Sequence, residues 1–545
     1  MNGGDALVAT LLAHGLDTAF CVPGESYVAV LEALRAARER LRLITNRHEG
    51  GASFAAEAYG KLTGKPGIAF VTRAPGATNA AIGVHVAAQG SSPLVLFVGD
   101  VPSRQKGLEA FQEIDYGRMF GPIAKAVIEP RSPAEVAAAT ARALRLAVAG
   151  RPGPVVVALP EDVTEGDAGE PAIPPPVPRP VSAPPAEAVT RAAAMIAEAR
   201  HPLAIFGEMV GNERAHAEAL ALIEASGAAA AVSFRRQDCF PADHPAFIGH
   251  LGIGRPEYLR AALAECDLVI AAGSRLDAVT SEGFTLVRDD QRLIQIYPEA
   301  SVVGRARDAE LGIVCDVRPA LSAIAGAVAA PPPERLAWRE RVNRGLRRFM
   351  AEPLPAKGAV DPAAVVGTVA ERLADRPHVI VNDAGNFASW LHRFYPYVQP
   401  QSQVGAEAGA MGGAVPGAIA AALARPEACV VAFAGDGGFL MTASELTTAV
   451  MERLPVRLIV GDNAAYGTIL MHQHRYAGPG RYHGVALRSP DFAALARSCG
   501  AAAWTVRRTA DFAPAFDAAL AEEGPALIHL ALDIRDISAT ATLEG

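Results

Sequence analysis

Short apolar-rich runs alternate with alanine-rich stretches of helical spacing along the whole chain, and this rhythm predicts its elements. Runs with little polar alternation fit strands buried on both faces, as in parallel sheets. The first part of the chain offers DTAFCV (17–22), LRLIT (41–45), GIAFV (67–71), PLVLFV (93–98) and PVVVAL (154–159). The middle offers PLAIF (202–206), AAAAVS (228–233), DLVIAAG (267–273), RLIQIY (292–297) and LGIVCD (311–316). The last part offers HVIVND (378–383), CVVAFAG (429–435), VRLIVGDN (456–463) and ALIHLAL (526–532). Strands separated by helices pair in parallel, so the pattern predicts an α/β protein of three doubly wound parallel-sheet domains. There is no short-period repeat of a solenoid.

Proline marks the boundaries. EPAIPPPVPRPVSAPPAEA (170–188) cannot hold a helix or a central strand over most of its length and reads as an extended linker. A second break starts at Pro331-Pro332-Pro333, and PLP (353–355) follows a charged helix-like segment. The expected division is 1–165, a linker at 166–188, 189–330, a linker at 331–358, and 359–545. A chain of 545 residues is too long for one core and accommodates three.

Composition narrows the functional class. Half the residues are apolar and a fifth charged, as in a folded soluble protein, and the net charge of −8 without a basic tract argues against nucleic acid as partner. The six cysteines have no CxxC or zinc spacing, and several lie in apolar strands, so buried reduced thiols are expected. The N-terminus lacks the pattern of a signal peptide, and no run approaches the length of a membrane helix, so a cytoplasmic protein without membrane contact is expected.

The chemistry concentrates between Gly435 and Gly467, GDGGFLMTASELTTAVMERLPVRLIVGDNAAYG. The buried run 428–434 leads into GDGG, where a strand would end. Thr442 and Glu445 have the spacing of a capping box, opening a helix with Leu446, Ala449, Val450 and Leu454 on its apolar face; Pro455 stops it. A second strand, 456–460, then ends at Asp462-Asn463. At the carboxyl edge of a parallel sheet both loops face a ligand site. Asp436 offers a hard carboxylate and Asn463 an amide oxygen to Mg²⁺, while Gly437 and Gly438 let backbone N–H groups approach phosphate.

GDGG, a helix and an asparagine 27 positions beyond Asp436 closely resemble the signature of thiamine-diphosphate-dependent enzymes. NRHEGGASFAAEAYG (46–60), after the strand LRLIT, resembles that superfamily's cofactor-activating glutamate motif and assigns the role to Glu49, with His48 shaping the site. APGATNAAIG (74–83) resembles the GPGATN loop of the acetolactate synthase branch, with Ala74 in place of its leading glycine. FQEID (111–115) is close to that branch's FQEVD, with Lys125 following where a lysine is common. DAGN (383–386) suits a turn under the diphosphate, and GAMGGAVP (409–416) resembles the stretch whose methionine, here Met411, bends the cofactor. The chain is therefore identified as similar to the thiamine-diphosphate-dependent decarboxylases and carboligases, of the acetolactate synthase large-subunit type.

The resemblance implies thiamine diphosphate and Mg²⁺ as cofactors, with Asp436, Asn463 and the main chain at Ala465 on the metal. It assigns cofactor contacts to Pro23, Gly24, Glu49, Pro75, Asn79, Gly385, Asn386, Gly409, Met411, Gly435, Asp436, Gly437, Gly438, Asn463, Tyr466, Gly467 and Thr468. Substrate or catalytic positions are Glu49, Phe111, Gln112, Lys125 and His472. It implies decarboxylation of a 2-keto acid and ligation of the resulting enamine to an acceptor carbonyl, in a homodimer or homotetramer whose sites lie between subunits. Two positions depart from the family: His472 stands where acetolactate synthases carry tryptophan, and Thr468 where they carry methionine. His472 reads equally as a substrate contact and as a solvent-facing residue of HQHRYAGPGRYHG. In the central domain GIG (252–254) and GSRLD (273–277) fall where acetolactate synthases hold FAD, with that pattern incomplete, so FAD stays open beside ADP or no ligand. Alternative activities are a 2-hydroxyacyl-CoA or oxalyl-CoA lyase, a simple 2-keto acid decarboxylase, and a non-catalytic cofactor-binding relative.

Overall fold

The computed structural model describes residues 1–543. It contains three six-stranded sheets, and every strand pair within them is parallel. The first holds β1 (Thr18–Cys21), β2 (Arg42–Thr45), β3 (Gly67–Val71), β4 (Leu94–Asp100), β5 (Ala126–Ile128) and β6 (Pro154–Pro160). The second holds β7 (Pro202–Phe206), β8 (Ala229–Ser233), β9 (Phe247–Leu251), β10 (Leu268–Ala272), β11 (Arg292–Tyr297) and β12 (Leu311–Val314). The third holds β13 (His378–Asn382), β14 (Gln403–Gly405), β15 (Cys429–Gly435), β16 (Val456–Asp462), β17 (Ala502–Val506) and β18 (Ala526–Ala531).

The first and third sheets share one winding. Their orders, β2-β1-β3-β4-β6-β5 and β14-β13-β15-β16-β18-β17, superpose strand for strand, with the direction of winding reversing between β1 and β3 and between β13 and β15. The central order, β12-β11-β10-β7-β8-β9, reverses between β7 and β10. At such reversals the loops diverge and open a crevice at the carboxyl edge.

Helices bearing on the site are α1 (Glu49–Thr63), α2 (Ala74–Gly90), α3 (Glu208–Asn212), α4 (Ala414–Ala424), α5 (Asp436–Met441), α6 (Glu445–Met451) and α7 (Gly467–Ala477). Small residues line α1 and α4, EGGASFAAEAYGKLT and AVPGAIAAALA, and these two helices pack face to face. The contact merges the first and third domains into one core, in which Phe20, Ala52, Ala56 and Val84 cluster with Val381, Ile419, Leu446 and Leu458. The central domain keeps a core of its own around Phe206, Ile270, Ile296 and Leu321. Within 331–358, residues Pro333–Ala351 form a helix that buries Trp338, Val342 and Leu346 against that domain. The proline-rich stretch is without helix or strand up to Pro185, and Ser182 N and Arg179 bind Asp316 of the central domain. All six cysteines are free.

The expected capping box does not form. A helix already begins at Asp436, Thr442 Oγ donates to Gly412 O at 2.7 Å, and Glu445, fully buried, turns its carboxylate to the first domain. Donors outside the helix outcompete the local Thr–Glu exchange because they would otherwise be buried unpaired.

A second buried group of charges joins all three domains. Glu407 Oε1 accepts from Lys61 Nζ at 2.8 Å and pairs with Arg236 Nε at 2.7 Å. Burial penalises the Glu407 carboxylate, but Arg236 and Lys61 outweigh it and hold its pKa below the usual value.

Candidate functional site

A cavity of about 230 Å³ opens at the winding reversal of the third sheet. Gly385 and Asn386 approach from the end of β13, Gly435–Gly438 from β15, and Asn463 and Ala465–Thr468 from β16, with Gly409 and Met411 completing the wall. Backbone must come close here. A Cβ on Gly437 would stand 2.6 Å from the Tyr466 ring, and one on Gly438 would stand 2.5 Å from Asp383 Oδ2. Gly385 and Gly409 adopt φ of +138° and +70°, which side chains resist.

Asp436 and Asn463 face this cavity together, as their spacing predicts. Asp436 Oδ1 accepts from Gly437 N at 2.8 Å, and Asn463 Oδ1 accepts from Ala465 N at 3.2 Å. Burial, with the nearby Asp462 carboxyl as a smaller contribution, pushes the Asp436 pKa up to about 6. Asp462 is itself held below the usual carboxylate range by His529 and Ser489, whose Nε2 and Oγ lie 2.9 and 2.7 Å from it, against the cost of its burial. The buried Asp436 carboxyl and half-buried Asp462, beside an amide oxygen and the Ala465 carbonyl, which accepts from Gly467 N at 2.8 Å, form a hard oxygen donor set that suits Mg²⁺. No group of three or more His, Cys, Asp or Glu side chains able to hold a metal occurs among the described residues, so Mg²⁺ here needs further oxygens from a phosphate.

Asp383, absent from the sequence-derived contact residues, anchors the wall. Its carboxylate accepts from Ala384 N at 2.8 Å and from Gly412 N at 2.9 and 3.0 Å, fixing the turn after Met411. Burial pushes its pKa up to about 6 despite these bonds. Its place directly after a strand in DAGN was the available signal. Thr468 Oγ donates to Asn386 Oδ1 at 3.0 Å on the cavity wall. His472 is exposed on α7 and is not part of the cavity lining. Gln473 and His483 exchange two hydrogen bonds of 2.9 Å and close the following loop.

The first domain builds a second constellation at its own reversal between β1 and β3. Glu49 is the first residue of α1, and Asn79 Nδ2 of α2 donates to its Oε2 at 2.9 Å. Gly76 follows Pro75, and a Cβ there would lie 3.4 Å from Glu49 Oε1. Across the crevice Gly24, after Pro23, packs on Thr72, 2.3 Å from a would-be Cβ. His48 caps α1, its Nδ1 accepting from Gly50 N at 2.9 Å. Gln112 adopts φ +67° and lines an open groove with Asp100, Lys106 and Glu129. Phe111 beside it is 75% exposed. Lys125 is tied elsewhere: its Nζ donates to Ala149 O and Arg151 O at 2.6 and 2.8 Å, and burial brings its pKa down to about 8. None of Glu49, Phe111, Gln112 and Lys125 lines the third-domain cavity of the same chain.

Comparison with known proteins agrees with the three sheets. Residues 1–119 match the N-terminal thiamine pyrophosphate binding domain of thiamine pyrophosphate enzymes, 189–324 their central domain, and 383–530 their C-terminal thiamine pyrophosphate binding domain. A probable acetolactate synthase large subunit from Methanocaldococcus jannaschii is 30% identical over 98% of this chain and 92% of its own length. The acetolactate synthase large subunit of Corynebacterium glutamicum is 31% identical over 95% and 84%. The large subunit of acetolactate synthase isozyme 2 from Escherichia coli K12 is 30% identical over 98% and 96%.

Proposed function

Because this chain belongs to the thiamine-diphosphate-dependent, acetolactate-synthase-like enzymes, we propose that it decarboxylates a 2-keto acid and joins the remaining fragment to an acceptor carbonyl, with Mg²⁺, at sites shared by two copies of the chain. The observation that carries this reading is the division of the site. The residues proposed for metal and diphosphate line one cavity, while Glu49 and its neighbours occupy the equivalent edge of another domain and stay outside that cavity. A second copy facing the first in reverse unites the halves, in a homodimer or a dimer of dimers.

Asp436, Asn463 and the carbonyl of Ala465 would hold Mg²⁺, and the backbone of Gly437 and Gly438 would approach the diphosphate. Gly385, Asn386, Gly409, Tyr466 and Gly467 would frame the cofactor, with Met411 beneath it and Thr468 toward the substrate. Thiamine diphosphate supplies an electron sink for loss of carbon dioxide. Glu49 would hold a proton at its carboxylate against the pyrimidine ring, between Pro23-Gly24 and Pro75-Asn79. Gln112, Phe111 and His472 reach substrate only if the partner's approach brings them to it, and Lys125 ties down the loop 149–151.

The central domain we read as free of flavin. Side chains and backbone of its own meet closely at the crevice between β7 and β10. Glu208, the first residue of α3 and 4% exposed, accepts from Arg275 Nε at 2.8 Å and Tyr297 Oη at 3.0 Å. A Cβ on Gly207 would stand 2.5 Å from Ser274 Cα, and one on Gly273 2.8 Å from Met209 Cβ. A carboxylate at a helix start, already paired with arginine, takes the place a dinucleotide phosphate needs.

The test is carbon dioxide release from pyruvate with and without thiamine diphosphate and Mg²⁺, with products identified by NMR. Cofactor-dependent release with acetolactate as product is expected. Aldehyde alone would reassign the enzyme as a simple decarboxylase, and no release across a 2-keto acid panel despite bound cofactor would overturn catalysis.

A further inference from the structure

Glu445 lies in the interior, nine residues beyond Asp436, yet every bond its carboxylate makes outside its own helix goes to the first domain. Oε1 accepts from the backbone N–H of Arg47 at 2.9 Å and of His48 at 3.0 Å. Oε2 accepts from Asn46 Nδ2 at 2.9 Å, and Thr448 Oγ of α6 donates to it at the same distance. Arg47 and His48 immediately precede Glu49, and their N–H groups lie ahead of the helix, where no turn of α1 can satisfy them. Gly51 makes the approach possible, since a Cβ there would stand 2.3 Å from Glu445 Oε1. The rest of α6 reinforces the joint: Thr448 Oγ also reaches Thr45 O at 3.3 Å, and Glu452, just beyond it, pairs with Arg42 at 2.5 Å.

We propose that Glu445 is a positioning residue for Glu49, an external cap that locks the peptide planes of residues 46–48 and so sets the direction in which the Glu49 carboxylate leaves α1. The inference rests on the role of Glu49 proposed above. Fixing two successive N–H groups from one rigid carboxylate leaves the turn a single orientation, and displacement of a catalytic group by about 1 Å costs on the order of 100-fold in rate. The carboxylate also sits at the positive end of α1, where an anion is favoured.

The test is a double-mutant cycle in the full-length holoenzyme. Glu445→Gln keeps the shape but presents an amide to donors, and its kcat should fall about 10- to 100-fold, with KM for the 2-keto acid within about threefold. Hydrogen exchange at the amides of Arg47 and His48 should quicken. In the Glu49→Gln background the same change should cost nothing further, because the group it positions is already gone. Asn46→Ala, which removes one donor and leaves the carboxylate intact, should give a smaller loss of the same non-additive kind and serves if Glu445→Gln does not fold. Additive losses, or wild-type kcat with faster exchange at the turn, would overturn this inference alone. Undiminished turnover in Glu49→Gln by itself would overturn the underlying reading and the inference with it.

Discussion

In the proposed role of Asp436 a proton and a metal ion would compete for the same buried oxygens. Its pKa, pushed up to about 6 from 3.8, means that the metal-free folded protein holds the neutral acid below about pH 6, where an unfolded chain would still be ionised. The sign follows. This carboxyl disfavours folding of the metal-free protein above about pH 6, and that penalty fades as pH falls toward 4. Mg²⁺ affinity should be level above pH 6 and drop about tenfold per unit below it, as read by isothermal calorimetry in the presence of thiamine diphosphate. Glu49→Gln should keep cofactor affinity while turnover falls by about 10²- to 10⁴-fold, measured by carbon dioxide release under saturating cofactor. Asp436 and Asn463 were legible because each ends a strand of one sheet, so sequence spacing translates directly into proximity. Glu445 was misread because a Thr-x-x-Glu pattern carries local information only, while its true partners lie about 400 positions away.

Helix α1 meets its neighbours through glycine and alanine, and this closeness makes its positions intolerant of growth. Gly51→Ala drives a methyl into Glu445 Oε1, 2.3 Å away, and should cost about 1–3 kcal/mol in denaturant unfolding together with a loss of turnover. The strands that the apolar runs did not reveal are β5, β9, β14 and β17, each at the edge of its sheet. Edge strands pair on one side only and need less apolar sequence, so AVI, FIGHL, QVG and AAWTV give no uninterrupted signal. The central strands, buried on both faces, announced themselves.

Across the whole molecule, domain number and fold class followed from counting buried runs, but how the domains meet did not. Charges that join Lys61, Arg236 and Glu407 come from three separate stretches with no shared pattern. Glu407→Gln strands two buried cations and should lower unfolding free energy by about 3–5 kcal/mol in urea titration. The lowered Glu407 pKa means that this stabilisation is present above the unfolded value of 4.5 and is lost as pH falls below it. Purified protein should show no visible flavin absorption, and added FAD should leave its melting temperature unchanged.

The turn Phe234–Gln237 of the central domain reaches far beyond its own core. Arg235 donates to Asp383 O at 3.2 Å and to Ala406 O, Arg236 grips Glu407, and Gln237 N donates to Gln403 Oε1 at 2.7 Å. All four acceptors flank the strand and loop that lead to Met411. The central domain can therefore be exchanged between relatives like a cassette only if the incoming domain carries both arginines and the same turn to present the N–H of residue 237, and a chimera that lacks them would inherit a slack cavity wall however well its graft folds.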